Sequence, residues 1–332
     1  MKKYHIYGIG NALVDIEIEV TDQELKDLNI EKGLMTLVDE ERQNHLLEVL
    51  PGTHHNRACG GSAANTVIGA AKLGANCYYS CKIANDEMGE FYTQDLENEG
   101  VTSNLSNQPL ESGHTGRCLV MVTPDADRTM NTHLGITGDL CYSEVSESAL
   151  LDSEWLYIEG YLVSTDPARA AATQAKKFAE DNGIKTAMSF SDPSMVKFFK
   201  DGLVTMVGEG VDLLFCNEEE ALLYTDQPDI QRAFDSLKKI AKQFAVTLGP
   251  NGALLWDGEQ QIEIAAHEVE AVDTNGAGDL FAGAFMYGVT HGFSFDKAGR
   301  LASFASARLV KEFGPRLSAE GLDLVNNFLQ EL

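Results

Sequence analysis

After residue 151 the chain alternates regularly between short apolar segments and longer amphipathic ones. Residues 155–162, 184–190 and 211–216 are the apolar segments, and 166–183 and 193–207 have the pattern of helices. A segment that is apolar almost throughout, such as 211–216, is typical of a strand buried on both faces of a parallel sheet. The alternation therefore predicts an α/β fold, a three-layer α/β/α core with a mostly parallel sheet between two layers of helices.

Near the start of the chain, polar and apolar residues alternate one by one. Within residues 12–20 the even-numbered positions are all apolar, whereas Asp15, Glu17 and Glu19 occupy odd-numbered ones. Strict alternation indicates a strand with one covered face and one open face. We therefore expect Glu17 and Glu19 to lie in solvent.

Two more segments with polar strand patterns complete a small predicted β-sheet. They are a strand near 33–39 and a hairpin within 113–135 that turns at P-D-A-D. We interpret this sheet as a lid over a substrate. The sequence thus predicts one domain over 1–332, with a discontinuous lid at about 12–40 and 113–135 inserted in the core.

The segment between these lid pieces contains His54, His55 and Cys59. These side chains are possible metal ligands, but no second pair with suitable spacing accompanies them. We therefore predict a polar loop at this position.

The chain carries 51 acidic and 25 basic residues, a formal net charge of −26. A charge of this size makes nucleic acid or an anionic membrane an unfavourable partner. No apolar run reaches the 18 residues of a membrane span, and the start M-K-K-Y-H-I-Y-G lacks the apolar core of a signal peptide. We therefore expect a cytoplasmic protein that binds a small molecule.

The segment D-T-N-G-A-G-D at 273–279 has the pattern of a turn that opens a helix. The N–H groups of Gly276, Ala277 and Gly278 would be the unpaired donors of the first helical turn, which attract anions and phosphate above all. A carboxylate at Asp279 would compete with such an anion unless it accepts a proton. The residues alone leave two interpretations of Asp279, a stabilising helix cap and a catalytic base.

A second glycine-rich segment, G-G-S-A-A-N, occupies residues 60–65. Ser62 is suited to cap a helix that continues to Leu73 and ends at Gly74, and the paired glycines let the chain bend before it. Taken alone, this pattern is weakly specific.

Two segments follow predicted strands of the parallel sheet, at the edge where open α/β sheets bind ligands. N-E-E-E-A at 217–221 comes directly after the strand at 211–216, and T-L-G-P-N-G-A begins at Thr247. Gly249 and Gly252 would let the backbone approach a phosphate, although a tight hairpin also explains them. For the acidic residues at 218–220, the alternative is a helix start favoured by the helix dipole.

Together these segments resemble a known enzyme family. D-T-N-G-A-G-D, followed by Gly283 and Ala284, resembles the C-terminal signature of the ribokinase-like (PfkB) carbohydrate and nucleoside kinases, and G-G-S-A-A-N resembles their N-terminal signature. The resemblance covers roughly residues 4–315, with four motifs in the family's order. It implies a ribokinase-like fold and transfer of the ATP γ-phosphoryl group to a primary hydroxyl. It also implies that Asp279 is the base and that Gly276, Ala277 and Gly278 form an anion hole.

The resemblance further implies which residues bind each substrate. On the acceptor side these are Asn11, Leu13, Asp15, Gly60, Gly61, Asn65 and Tyr161. On the nucleotide side they are Asn217, Glu220, Thr247, Gly249, Gly252, Asp273, Thr274, Asn275 and Ser303. Asn217 and Glu220 are also expected to hold Mg²⁺ through water. ATP and Mg²⁺ are thus the expected cofactors, and a monovalent cation is an open third.

Within the family, the motifs most closely resemble the adenosine kinases, which convert adenosine to AMP. Leu13, Met35, Leu37 and Tyr161 would then offer apolar surface to a purine, although each also suits packing of the core or lid. A ribokinase- or fructokinase-like sugar kinase is the alternative, and a catalytically silent nucleoside- or sugar-binding module is a third possibility. The expected oligomeric state is a monomer or a homodimer, since a lid sheet either stays free or pairs with a second lid.

Overall fold

The computed structural model describes residues 2–50, 54–107 and 109–332, which form two β-sheets and the helices around them. The strands are β1 Tyr4–Ile9, β2 Leu13–Glu19, β3 Met35–Leu37, β4 His54–Gly60, β5 Cys77–Ser80, β6 Thr102–Ser103, β7 Gly116–Val122, β8 Arg128–His133, β9 Ser153–Ile158, β10 Lys185–Ser189, β11 Val211–Asn217, β12 Ala241–Thr247, β13 Ala253–Trp256 and β14 Gln261–Ile264. The helices are α1 Asp22–Asp27, α2 Glu40–Val49, α3 Ser62–Lys72, α4 Glu87–Asn98, α5 Glu147–Leu151, α6 Asp166–Asp181, α7 Pro193–Val207, α8 Glu218–Thr225, α9 Ile230–Leu237, α10 Ala277–Thr290, α11 Phe295–Leu309 and α12 Ala319–Glu331.

The larger sheet has the strand order β14-β13-β12-β11-β10-β9-β1-β5-β6. It is parallel from β12 to β6, and β13 and β14 extend it as an antiparallel edge. One apolar cluster packs α3, α10 and α11 on one face of this sheet, and a second packs α6, α7 and α9 on the other. The predicted α/β fold, with a mostly parallel sheet between helical layers, is confirmed.

The smaller sheet has the order β3-β8-β7-β2-β4. It draws on both predicted lid segments and also on β4, because Gly60 pairs with Leu13 and Cys59 pairs with Val14 in antiparallel register. The loop predicted around Cys59 is therefore wrong. An edge strand pairs on one side only, and its polar composition resembles that of a loop.

One predicted boundary also shifts in the structure. The predicted strand 155–162 ends at Ile158, and a 3-10 turn, Gly160–Ser164, carries Tyr161 beyond it. In the described parts of the chain, none of the helices has both the length and the apolar character that crossing a bilayer requires.

Helices α3 and α10 pack closely because small residues line their interface. A Cβ atom at Gly283 would lie 2.4 Å from the carbonyl oxygen of Thr66, and one at Gly69 would lie 2.9 Å from the Leu280 side chain. At Gly283 the contact is with backbone, so only glycine fits and the two helices approach backbone to backbone there. This packing brings the starts of α3 and α10 together below the smaller sheet.

Candidate active site

A cavity of about 260 Å³ lies between the smaller sheet and the carboxyl edge of the larger one. Strands β11 and β12 end at it, as expected for ligand sites of open α/β sheets. The residues predicted for the site that line the cavity are Asn11, Leu13, Asp15, Gly61, Asn65, Tyr161, Asn217, Glu220, Thr247, Gly249, Asn275, Gly276, Gly278 and Asp279.

Asp279 lies in the first turn of α10, and both of its carboxylate oxygens accept hydrogen bonds from α3. The Ser62 hydroxyl donates to Oδ1 at 2.6 Å, and the Asn65 amide donates to Oδ2 at 3.1 Å. Burial raises the pKa of Asp279 above its ordinary value, and these two hydrogen bonds and the charge of Arg128 offset only part of that rise. A carboxyl with a raised pKa is suited to exchange protons.

Ser62 does not cap α3 as its sequence position predicted. The N-cap residue is Gly61, with φ of 97°, and Ser62 is the first residue of the helix. A Cβ atom at Gly61 would lie 2.1 Å from the carbonyl oxygen of Asn11, so both the conformation and the space require glycine. The bend at Gly61 turns the Ser62 side chain toward Asp279 and away from its own helix.

The turn before α10 presents two of the three predicted anion-hole donors to the cavity. The N–H groups of Gly276 and Gly278 make no hydrogen bond within the described chain, and both residues line the cavity. Ala277 differs, because its N–H donates to the carbonyl of Thr274 at 3.3 Å and the residue does not line the cavity. Unpaired N–H groups at a helix start favour a bound anion.

Two polar groups of the cavity, the Asp15 carboxylate and the side-chain oxygen of Asn65, have no hydrogen-bond partner among the described residues. Asp15 is only 5% exposed, yet its carboxylate makes no hydrogen bond, and burial followed by the charge of Glu17 raises its pKa well above the ordinary range. The side-chain oxygen of Asn65 is buried and also has no partner. Gly60 lies behind Asp15, where a Cβ atom would sit 2.1 Å from the carboxylate. Unsatisfied buried acceptors are well suited to a ligand's hydroxyl groups.

Glu159 is a cavity residue that the sequence analysis missed. It is 1% exposed, and it accepts hydrogen bonds from the backbone and side-chain N–H groups of Asn11 and from the N–H of Ala63. Burial raises its pKa to about 7 despite these hydrogen bonds. Glu159 therefore holds Asn11 and the first turn of α3 in place.

Arg128 is a second missed residue, and its position on β8 explains how it could have been found. Arg128, Met130 and Thr132 alternate along the strand and all line the cavity, so one face of the predicted hairpin forms its wall. The guanidinium of Arg128 donates to the carbonyl of Thr274 at 3.2 Å. It places a positive charge beside Asp279.

Asn217 and Glu220 form a reciprocal cap at the start of α8. The Asn217 backbone and side-chain N–H groups donate to Glu220 at 2.9 and 2.8 Å, and the Glu220 N–H donates back to the Asn217 side chain. Burial raises the pKa of Glu220 to about 8. No group of three or more Asp, Glu, His or Cys residues that could hold a metal occurs in the described chain. The arrangement fits Mg²⁺ that arrives with a nucleotide's phosphates and is held through water.

Four residues predicted to bind the nucleotide do not line this cavity. Asp273 is fully buried and accepts hydrogen bonds from the N–H groups of Asn275 and Gly314. Ser303 donates to the carbonyl of Ala265. Gly252 is the third of these residues, and a Cβ atom there would lie 2.0 Å from the carbonyl oxygen of Ile264 in β14. These three residues brace the loops around the cavity.

Thr274 is the fourth predicted nucleotide-binding residue that does not line the cavity. Together with Asn275 it connects the turn before α10 to the smaller sheet. The Thr274 hydroxyl donates to the carbonyl of Ala126 at 3.1 Å, and the Asn275 amide donates to the Glu17 carboxylate at 3.2 Å. Glu17 is only 3% exposed, so its predicted position in solvent is wrong. Glu19 is exposed, as predicted. The open face of β2 is covered because it faces the cavity and the larger sheet.

A family model described as "pfkB family carbohydrate kinase" matches residues 34–321. The chain belongs to this family. It is an ATP-dependent kinase, which confirms the activity implied by the motifs.

Similar proteins include both nucleoside and sugar kinases. Adenosine kinase of Saccharomyces cerevisiae is 26% identical, over 94% of this chain and 96% of the relative. The solved structure of adenosine kinase from Sinorhizobium meliloti is 34% identical, with a TM-score of 0.92 over 98% of this chain and 99% of that one. A probable sugar kinase from Rhizobium etli CFN 42 is 33% identical, with a TM-score of 0.93 over 99% of both chains.

Proposed function

We propose that this kinase transfers the γ-phosphoryl group of ATP to the primary hydroxyl of a nucleoside, and that adenosine is converted to AMP. One observation carries the proposal. A half-buried carboxylate, Asp279, adjoins the unpaired N–H groups of Gly276 and Gly278 in a cavity that also holds the unpartnered acceptors of Asp15 and Asn65. A base, an anion site and a hydroxyl-binding site thus lie in one enclosed space.

The chain's own groups account for each requirement of phosphoryl transfer. Asp279 accepts the proton as the acceptor's hydroxyl oxygen attacks the γ-phosphorus, and the bond between that phosphorus and ADP breaks. The N–H groups of Gly276 and Gly278 and the guanidinium of Arg128 stabilise the negative charge on the phosphoryl oxygens. Asp15 and the Asn65 side-chain oxygen accept hydrogen bonds from the acceptor's other hydroxyls, and this orients the attacking one.

Mg²⁺ neutralises phosphate charge when it is bound with ATP. Asn217 and Glu220 would hold it through water molecules, because their own side-chain hydrogen bonds to each other leave them poorly placed for direct coordination. Glu220 would lose its proton in that state, since a nearby cation favours the charged form of a carboxyl.

The lid side of the cavity supports a nucleoside acceptor. Its lining includes the ring of Tyr161 and apolar side chains from β2, β3, β8 and the residue after β8, namely Leu13, Met35, Leu37, Met130 and Leu134. A purine offers two broad faces for such contacts, whereas a free pentose offers only small C–H patches. The 34% identity to an adenosine kinase over nearly the whole chain favours the same acceptor.

A sugar acceptor is the second candidate, and the sequence at Tyr161 favours it. The residue after Tyr161 is Leu162, which is fully buried and has no aromatic ring. Tyr161 is therefore the one aromatic side chain that this turn can offer to a base. A relative of similar identity is described as a probable sugar kinase. In this case the apolar lid residues would pack against each other above a smaller substrate.

ATP-dependent phosphorylation of a panel separates these candidates. The panel contains adenosine, guanosine, inosine, ribose, fructose and 2-keto-3-deoxygluconate, and coupled ADP release measures turnover. We expect kcat/KM to be highest for adenosine. Turnover of sugars alone would replace the nucleoside assignment with the sugar one, and no turnover of the panel would refute both.

The role of Asp279 has its own test. Asp279→Asn should lower kcat by about 10²- to 10⁴-fold with the preferred acceptor and leave the melting temperature near that of the wild type. Asp296→Asn is the matched control, because Asp296 is an exposed acid in the first turn of α11. Near wild-type turnover in Asp279→Asn would show that another group is the base.

A further inference from the structure

We infer that Ser62 is a positioning residue for the catalytic base, and that its hydroxyl fixes Asp279 in the orientation that accepts the substrate's proton. The inference rests on the proposed role of Asp279. It concerns a side chain whose sequence position suggested only a helix cap.

The start of α3 is built to reach the Asp279 carboxylate. Ser62 and Asn65 are three residues apart, so they lie on the same face of the helix. One donates to Oδ1 at 2.6 Å and the other to Oδ2 at 3.1 Å, and together they fix the rotation of the carboxylate plane. The glycine-mediated packing of α3 on α10 holds the two helix starts at this distance.

Ser62 makes no competing hydrogen bond within its own helix. No side-chain cap bond is present at the start of α3, and the residue is 6% exposed. Its hydroxyl must be the donor to an ionised Asp279, because an ionised carboxylate only accepts. Charge-assisted O–H···O⁻ bonds are short and roughly twice as strong as neutral ones.

The hydrogen bond leaves the base free to react. Each carboxylate oxygen has two acceptor sites, so Oδ1 and Oδ2 each keep one for the substrate's hydroxyl. During transfer the proton moves from that hydroxyl to Asp279, and Ser62 keeps its own proton. The serine therefore aligns the base without exchanging a proton.

The pH dependence of the base follows from all the groups that face it. Arg128 on β8 and the donors Ser62 and Asn65 favour its charged form, whereas burial opposes that form. The other titratable groups that interact with it electrostatically are Asp15, Tyr157, Glu159 and Tyr161. Removal of the Ser62 donor alone should raise the pKa of Asp279, since one of the groups that stabilise its carboxylate is lost.

The test is the pH profile of kcat/KM for the acceptor in Ser62→Ala. We expect the acid limb to move toward higher pH by about one unit, as the loss of a hydrogen bond to a charged group implies. We also expect kcat to fall at least about 10-fold at neutral pH with KM for ATP unchanged. Ser164→Ala is the control for the position of the acid limb. Ser164 lines the same cavity, but its hydroxyl donates to the carbonyl of Tyr161 and not to Asp279.

A lower kcat with the acid limb at its wild-type position would overturn the inference, because a merely structural loss moves no pKa. Unchanged kinetics would overturn it as well. Asp279→Asn distinguishes this failure from failure of the proposed function. If Asp279→Asn is inactive while Ser62→Ala keeps the wild-type limb, the base is right and only the role of Ser62 is wrong.

Discussion

Gly276 and Gly278 lie two residues apart at the start of α10, but a methyl group at each would meet different surroundings. At Gly276 it would lie 2.8 Å from Pro315, and the φ of 71° is unfavourable for any other residue. At Gly278 nothing lies within 4 Å. The first glycine therefore shapes the turn, whereas the second leaves open the space that we assign to the phosphoryl group.

Alanine at these positions should separate folding from catalysis. Gly278→Ala should leave the free energy of unfolding within about 0.5 kcal/mol of the wild type, yet lower kcat/KM for ATP by about 10-fold or more, because its methyl group occupies the anion site. Gly276→Ala should lower the free energy of unfolding by about 1–3 kcal/mol. Urea unfolding and initial rates measure both quantities. Full activity of Gly278→Ala would place the phosphoryl group elsewhere.

Glu159 should make stability depend on pH. Burial raises its pKa from the ordinary value of 4.5 to about 7 in the folded chain, so between these values the folded state keeps a proton that the unfolded state loses. The free energy of unfolding of the wild type should therefore fall as pH rises through this window. The side chain in Glu159→Gln does not titrate. Its free energy of unfolding relative to that of the wild type should therefore increase with pH, by up to about 1.4 kcal/mol per pH unit.

Urea unfolding of both proteins at several pH values between 4.5 and 7 measures this difference. Groups that do not interact with Glu159 titrate alike in both proteins, so the comparison reports on Glu159 and its coupling to Asp279. A difference that stays constant across the window would mean that Glu159 keeps an ordinary pKa in the folded state.

Among the elements, the contact between the smaller sheet and the turn before α10 has the clearest functional consequence. Three hydrogen bonds join them: Thr274 to Ala126, Arg128 to Thr274 and Asn275 to Glu17. They connect three points of the smaller sheet and its turn to Thr274 and Asn275, the two residues that precede Gly276. We therefore expect lid position and the shape of the anion site to be coupled.

Thr274→Val tests this coupling, because valine keeps the shape of threonine and removes its hydroxyl. One hydrogen bond is worth about 1 kcal/mol, so the acceptor KM should rise by roughly 5-fold. ATP hydrolysis without acceptor should also increase relative to phosphoryl transfer, since a looser lid admits water. Thr173→Val is the control, because its hydroxyl bonds only the carbonyl of Arg169 within α6. Equal hydrolysis in both variants would show that this hydrogen bond does not control closure.

The larger sheet could be predicted from the sequence because strands buried on both faces appear as continuous apolar runs. Helices α1 and α2 were missed, since they are short, polar and on the surface. A signal for α1 did exist: Thr21 and Glu24 form a capping box, and that spacing can be read in the sequence. Strand β4 offers no comparable signal, because only its pairing with β2 distinguishes it from a loop.

In the candidate site, the glycine-rich segments singled out Asp279 and Asn65, which line the same cavity. Ser62 was singled out only as a helix cap, and Glu159 and Arg128 were not singled out at all. The three-residue spacing of Ser62 and Asn65 could be read in the sequence. The direction in which the two side chains point depends on the bend at Gly61. Glu159 and Arg128 act across distances of more than a hundred residues along the chain. Only the folded arrangement of the two sheets reveals such contacts.

At the scale of the whole molecule, the net charge of −26 opposes the local electrostatics of the site. In the proposed site, Arg128 and the helix start would attract the negative charge of ATP, whereas the surrounding surface would repel it. The two effects differ in range. The Debye length is about 30 Å at 10 mM salt and about 8 Å at 150 mM, so salt screens the distant surface charges more than the groups in contact with the phosphates.

This difference predicts an unusual response to salt. With free Mg²⁺ held in excess, kcat/KM for ATP should rise by about 2- to 10-fold between 10 and 150 mM salt, because long-range repulsion is removed while close attraction persists. An uncharged acceptor such as adenosine provides the internal control, since its KM should change little over the same range. Steady-state rates at fixed pH, with each substrate varied in turn, measure both responses. If kcat/KM for ATP instead falls across this range, the cations near the phosphates dominate at long range too, and the surface charge has no part in nucleotide capture.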